Sequence, residues 1–393
     1  MVIILSLLLL APVLPASGEQ TAVTSPEEQL ATTSPEEQVS SLDLTGIQQY
    51  IERLDTEIKG SLPSLNFKEM VLKMAKGEME WKPSEIFANI LSHLFKEVVA
   101  NFDLLGKLVI LAVICAVLQN LMTSFEKTTT GQLTYSITYL VLVTIAIGSF
   151  SLAVNAGREV VENMVTFMQA LLPVLLTLLV AIGGFASAAV FSPVLLTTIG
   201  VFGTLIKNII LPLLFFVAIL SIVSNLSERF KVSNLSDLLK SVAMGLMGIF
   251  STIFLGVLAI QGVAGAVGDS VTFKTAKFGV NAFVPVVGGV LSDALAAVVS
   301  SSLLIKNAVG IAGVVIIGAI MLVPLLKIIT LAFIYKLAGA LIQPIGDGQM
   351  VNCLNSLGNS LFLIFAAVAT VGLLFFFAIT IVVGVGNITV MLR

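Results

Sequence analysis

The sequence predicts an all-α fold: a polytopic α-helical membrane protein of about eight transmembrane helices, preceded by a small helical region. From Leu104 onward the chain is a succession of apolar runs, several of them 20 or more residues long, separated by short polar punctuation. A hydrocarbon core about 30 Å thick needs roughly 20 apolar residues per helical crossing, and the runs have that length. Charge agrees: this stretch carries about one Asp, Glu, Lys or Arg in fourteen residues, where soluble domains carry roughly a quarter. With 57% hydrophobic residues in 393, the apolar surface exceeds what one water-soluble core can bury.

The net charge of −3 hides a split between an acidic head, residues 1–103, and a mildly basic body, residues 104–393. No basic tract suggests nucleic-acid binding. The two cysteines, Cys115 and Cys353, lie in or beside apolar runs and read as small buried hydrophobes. Neither a disulfide framework nor a zinc spacing exists. The single histidine, His93, sits on an amphipathic stretch before the first span and reads as a boundary side chain.

Residues 1–18 look like a secretory signal peptide. The apolar run Val2 to Leu10 leads to Ala16-Ser17-Gly18, a small-x-small site, although the start lacks Lys or Arg. An uncleaved anchor is the alternative, and both put the following residues across the membrane. Residues 19–41 repeat the phrase Thr-Ser-Pro-Glu-Glu-Gln and form a disordered tether, too polar to fold. Residues 42–103 form a helical extracytoplasmic region. Leu44, Ile47, Ile51, Leu54 and Ile58 make one apolar stripe. Phe67, Met70, Val71 and Met74 make a second, and a third opens at Pro83, which suits a first helical turn. Mutual packing of the three is the default expectation.

The expected spans are 104–124, 133–155, 167–190, 194–225, 240–262, 281–304, 308–332 and 356–384. The fourth is long enough to tilt, to bend at Pro212 or to split. Amphipathic connectors carry Arg158, Glu159 and Glu162, then Glu228 to Lys240, then Asp269, Lys274 and Lys277. Lys and Arg spread over both sets of loops, so the positive-inside rule decides orientation only weakly. The translocated head is the better guide, and eight spans put the C-terminus on its side of the membrane.

The body contains a possible internal repeat. Leu172-Pro173-Val174 matches Val284-Pro285-Val286, Leu205-Ile206-Lys207-Asn208 matches Leu304-Ile305-Lys306-Asn307, and Ser241 with Ile249-Phe250 matches Ser356 with Ile364-Phe365. The units would be 150–262 and 263–385, inverted if each has three spans. Inverted repeats recur in transporters, and apolar sequences also match by chance.

No catalytic constellation and no cofactor motif is present. Gly183-Gly184 and Gly262, Gly265 and Gly268 fit close helix contacts in lipid. The sharper functional candidates are ionisable residues in or near spans, because a mid-bilayer charge costs several kcal/mol unless paired or hydrated. They are Asp293, Lys207, Lys306, Lys327 and Lys336. The lysines can snorkel from span ends. Asp293, near the middle of its expected span, must line a hydrated path, pair with a lysine, or mark 281–304 as interfacial.

Several phrases resemble the stage III sporulation protein AE family of endospore-forming bacteria. They are Thr275-Ala276-Lys277-Phe278, Leu331-Ala332-Phe333-Ile334-Tyr335-Lys336-Leu337-Ala338, Gln343-Pro344-Ile345-Gly346 and Gly386-Asn387-Ile388-Thr389-Val390-Met391-Leu392-Arg393, with Ser221-Ile222-Val223-Ser224 and Tyr135-Ser136-Ile137. The resemblance runs from about Leu42 to Arg393. It implies a non-enzymatic subunit of a complex in the mother-cell membrane around the forespore. With a forespore-membrane partner, that complex would form a channel-like or secretion-like conduit needed for endospore development and late forespore gene expression. The implied partners are the other subunits of this stage III sporulation complex, the forespore-membrane protein and the lipid bilayer. The resemblance supplies no catalytic residues. A stand-alone secondary transporter is the alternative reading, supported by the possible repeat and Asp293.

Overall fold

A computed structural model describes residues 39–40, 42–57, 66–79, 83–124, 129–226, 232–283, 288–344 and 348–391. The signal-like segment and nearly all of the tether lie outside these residues. Every regular element among them is helical. Three short helices, α1 (Thr45–Glu57), α2 (Phe67–Ala75) and α3 (Pro83–Ala100), lead into α4 (Phe102–Ser124) and α5 (Thr129–Ala181). Next come α6 (Phe185–Leu205), a π-helical turn (Ile206–Ile210) and α7 (Leu211–Leu226). The chain ends in α8 (Ser233–Phe283), α9 (Gly288–Ile342) and α10 (Gly348–Met391).

The expected eight spans are regrouped. Five helices are long and apolar enough to cross a membrane: Ser136–Ala181, Phe185–Asn225, Ser233–Val271, Val298–Ile342 and Gly348–Ile388. A sixth arises if α3 and α4, bent by 45° at Asn101, count as one broken span. The second and third expected spans share α5, because nothing between Asn155 and Thr166 breaks a helix; the charged connector is simply its middle. Pro173 is carried inside α5. The true break falls at Gly183-Gly184. Gly183 has φ of 84°, the amide of Gly184 donates to Leu179 O at 2.8 Å, and that of Gly183 to Val180 O at 2.8 Å. This left-handed glycine closure satisfies the end carbonyls of α5 and turns the chain back.

The fourth span stays continuous through the π turn. Pro212 has no amide to offer the carbonyl four residues back, and the Leu211 amide instead bonds Ile206 O, five residues back. Among the described residues the sixth expected span, 281–304, is divided between two elements, since α8 ends at Phe283 and α9 starts at Gly288. The seventh span lies further along the same α9, and the eighth lies in α10.

At 44 to 55 residues, α5, α8, α9 and α10 are each about 65–80 Å long at 1.5 Å per residue. Their relative heights are fixed by contacts. A Cβ at Gly313 of α9 would strike Leu171 of α5, and Tyr335 of α9 bonds Ala146 of α5, so these two helices run antiparallel. Gly372 of α10 faces both Met321 of α9 and Met164 of α5, and Gly157 of α5 faces Ile364 and Val368 of α10 and Leu211 of α7. On the other side, Phe254 of α8 stacks between Phe202 of α6 and Phe375 of α10, at 5.5 and 6.4 Å between ring centroids. One apolar core runs the length of this bundle.

The short helices pack on the bundle rather than forming a core of their own. Ile47 and Ile51 of α1 are buried, Tyr50 packs on Phe167 of α5 at 5.8 Å, and Phe67 and Val71 of α2 join the same core. The possible inverted repeat is not confirmed. The boundary between residues 262 and 263 falls inside α8, and the three spans expected in the second unit are two helices.

Candidate functional site

The buried charges gather at one end of the bundle, around the α5–α6 turn. A helix start leaves its first amides without partners, and α6 has no side-chain cap of its own at Gly184. Asp269, fully buried on α8, supplies the cap from a distance in sequence. Its Oδ1 accepts from the amides of Ala186 and Ser187 at 2.7 and 3.0 Å. A carboxylate there also meets the positive end of the helix dipole. The approach requires glycine: a Cβ at Gly265 would lie 3.1 Å from the Ser187 Cα, and one at Gly268 would lie 3.3 Å from the Ala186 Cβ. The close-contact reading of these glycines holds, and Asp269 belongs to a helix rather than to a loop.

Lys306 lies at the same end and is fully buried on α9. Its Nζ donates to Val383 O of α10 at 2.8 Å, a carbonyl that is otherwise engaged in its own helix. Gly386 leaves the room, because a Cβ there would overlap the Lys306 ammonium and press on Ile182 at 2.7 Å. The buried Oδ1 atoms of Asn307 and Asn387 next to this contact have no hydrogen-bond partner among the described residues.

The other sequence candidates are elsewhere. Lys207 is held in the π turn and pairs with Glu162 of α5, its matched position in the proposed repeat being the buried Lys306. Lys327 is exposed on α9, and Lys336 is half-buried, with its Cγ 3.0 Å from where a Gly358 Cβ would be. Asp293 falls in the second turn of α9, not at mid-span. The side-chain surroundings of Asp293 lie outside the described residues. The four lysines therefore do not converge on one pocket.

Two functional-grade contacts escaped the sequence reading. Tyr335 is fully buried, donates to Ala146 O at 3.0 Å and shares a short hydrogen bond with Ser149 Oγ, tying α9 to α5. A lone tyrosine in an aliphatic run was the available signal, since a buried phenol needs a partner. Asp269 was visible only as a charge near glycines; its partner amides carry no side-chain signature. Among the described residues no group of three or more His, Cys, Asp or Glu is placed to hold a metal ion.

The model of the family "Stage III sporulation protein AE" matches residues 65–386. The chain belongs to the stage III sporulation protein AE family. A relative of that name from Bacillus subtilis (strain 168) is 43% identical over 354 residues, covering 90% of this chain and 88% of the relative. No solved structure matches. Within this family member, the phrase Leu331–Ala338 is the stretch of α9 that buries Tyr335, and the phrase beginning at Gly386 seats Lys306. A role in sporulation follows from the family, and the long apolar helices make it a multi-pass membrane protein.

Proposed function

We propose that this protein is a non-enzymatic, polytopic subunit of a channel-like or secretion-like complex. It sits in the mother-cell membrane around the forespore, with α1–α3 facing the space between the two membranes. The observation that carries this reading is the packing of the bundle interior. Along its axis Met164, Leu171, Phe254, Ile316 and Phe375 are 0–1% exposed, and the buried Lys306, Asp269 and Tyr335 each hydrogen-bond a backbone group of another helix. A path for a polar solute needs continuous hydrated polar lining, and among the described residues the interior is lined mainly by apolar side chains. A conduit built with this chain would run between subunits rather than through one copy, which favours a complex member over a stand-alone transporter.

The test is to purify the full chain, reconstitute it in liposomes alone, and then reconstitute it with the other membrane proteins of the sporulation complex. Solute release only in the second case supports the subunit reading. Saturable uptake of a defined solute by the chain alone overturns it.

A further inference from the structure

The long helices share an internal boundary. Glu162 of α5 pairs with Lys207 of the π turn, and Lys327 of α9 is exposed. The contact of Met321 and Met164 about Gly372, followed six residues along each antiparallel helix, sets Lys327 level with Arg158. Arg158, Glu159, Glu162, Lys207 and Lys327 thus form a charged belt across the bundle.

The belt divides the bundle into two layers that both present apolar side chains outward, Ile137, Leu140 and Phe216 in one and Val190, Ile260 and Val263 in the other, and that differ in exposed charge. Between it and the end marked by Asp269 and Lys306, all five candidate spans are free of exposed charge for about 20 residues, or about 30 Å. Those stretches are 163–182, 185–206, 249–268, 307–326 and 367–386, interrupted by no Asp, Glu, Lys or Arg. The other layer contains Asp237 and Lys240, both exposed, and the half-buried Lys336. Charges of this kind within hydrocarbon are costly.

We propose that the bilayer encloses only the charge-free layer, with the belt in the headgroup region of one leaflet. The chain then crosses five times, at 163–182, 185–206, 249–268, 307–326 and 367–386. The lower halves of α5, α8, α9 and α10, with α4, stand outside the bilayer on the side of the head. Helix α1 fits this placement: Tyr50 packs on Phe167 of α5 and Gly46 faces Ala170, one to two turns past Glu162. That is the depth of an amphipathic helix at the headgroup–acyl boundary. Five crossings put α1 and Met391 on opposite faces.

The proposal is tested in the full chain, whose native Cys115 and Cys353 are buried, so the unsubstituted protein is the blank. Gln49→Cys and Met391→Cys are treated with a membrane-impermeant thiol reagent in intact protoplasts. One position is expected to react and the other to react only after lysis. Nitroxide labels along the exposed face of α8 give an independent reading in liposomes. Oxygen accessibility is expected to peak at Ile260 and Val263 and to fall at Leu238 and Val242. Labelling of both cysteines from one face, or an oxygen maximum at Leu238 and Val242, overturns the proposal and places the bilayer on the α4 layer, with six crossings.

Discussion

Lys306 on α9 and Gly386 on α10 occupy one space: the Lys306 Nζ lies where any side chain at Gly386 would begin, and it donates a hydrogen bond to the carbonyl of Val383. Two positions 80 residues apart in sequence are thereby keyed by one amine and one missing side chain. Gly386→Ala is expected to lower stability by about 1–3 kcal/mol, as overpacking of a filled interior does. The loss should be largely recovered in Gly386→Ala/Lys306→Ala, since both changes act on the same volume. Thermal unfolding of the detergent-solubilised variants checks this; additive losses would show that the two residues are not in contact.

Asp269 is expected to behave as the cap of α6. Asp269→Asn keeps an acceptor and loses the dipole interaction, costing about 1 kcal/mol. Asp269→Leu strands the Ala186 and Ser187 amides and costs about 1–3 kcal/mol. Hydrogen exchange reads the effect locally: the first turn of α6 should exchange faster in both variants, more so in the leucine variant, with α10 unaffected.

Removing the hydroxyl of Tyr335 breaks its bonds to Ala146 and Ser149 without opening a cavity. Tyr335→Phe is expected to cost about 0.5–1.5 kcal/mol, the net worth of a hydrogen bond, because Ser149 keeps its bonds to Ile145 O and Ala146 O. Ser149→Ala in the same chain should then cost little more. A fully additive pair in thermal melts would contradict the shared bond.

The pair Glu162–Lys207 is partly exposed on both sides, 59% and 35%, so its worth is about 0.2–1 kcal/mol. Lys207→Glu sets two carboxylates together and should reduce accumulation of the protein in the membrane. Adding Glu162→Lys restores opposite charges and should restore accumulation, read by immunoblot of membrane fractions.

Helix α1 is held by Ile47 and Ile51 rather than by its polar face. Ile51→Asp introduces a charge into that contact, so α1 should leave α5 while the bundle survives. Limited proteolysis is expected to clip the head of the variant and leave a stable fragment of α4–α10. If both proteins are cut at the same rate, α1 does not need this contact.

The sequence by itself determined the class: apolar runs long enough for a bilayer, sparse charge and the phrases of a sporulation family all depend on local composition. It also marked Lys306 and the packing glycines, because a charge among aliphatics and a Gly every third residue are local patterns. The number and joints of the helices were decided by tertiary structure. A charged stretch such as Arg158 to Glu162 breaks a hydropathy profile but not a helix, since its backbone bonds close regardless of side-chain polarity. Gly183-Gly184 ends a helix in the middle of an apolar stretch, where hydropathy shows no boundary. The roles of Asp269, Tyr335 and Gly386 were likewise out of reach, because each depends on a backbone group or an empty space 50 or more residues away. Such partners have no residue identity to read, and only packing brings them together.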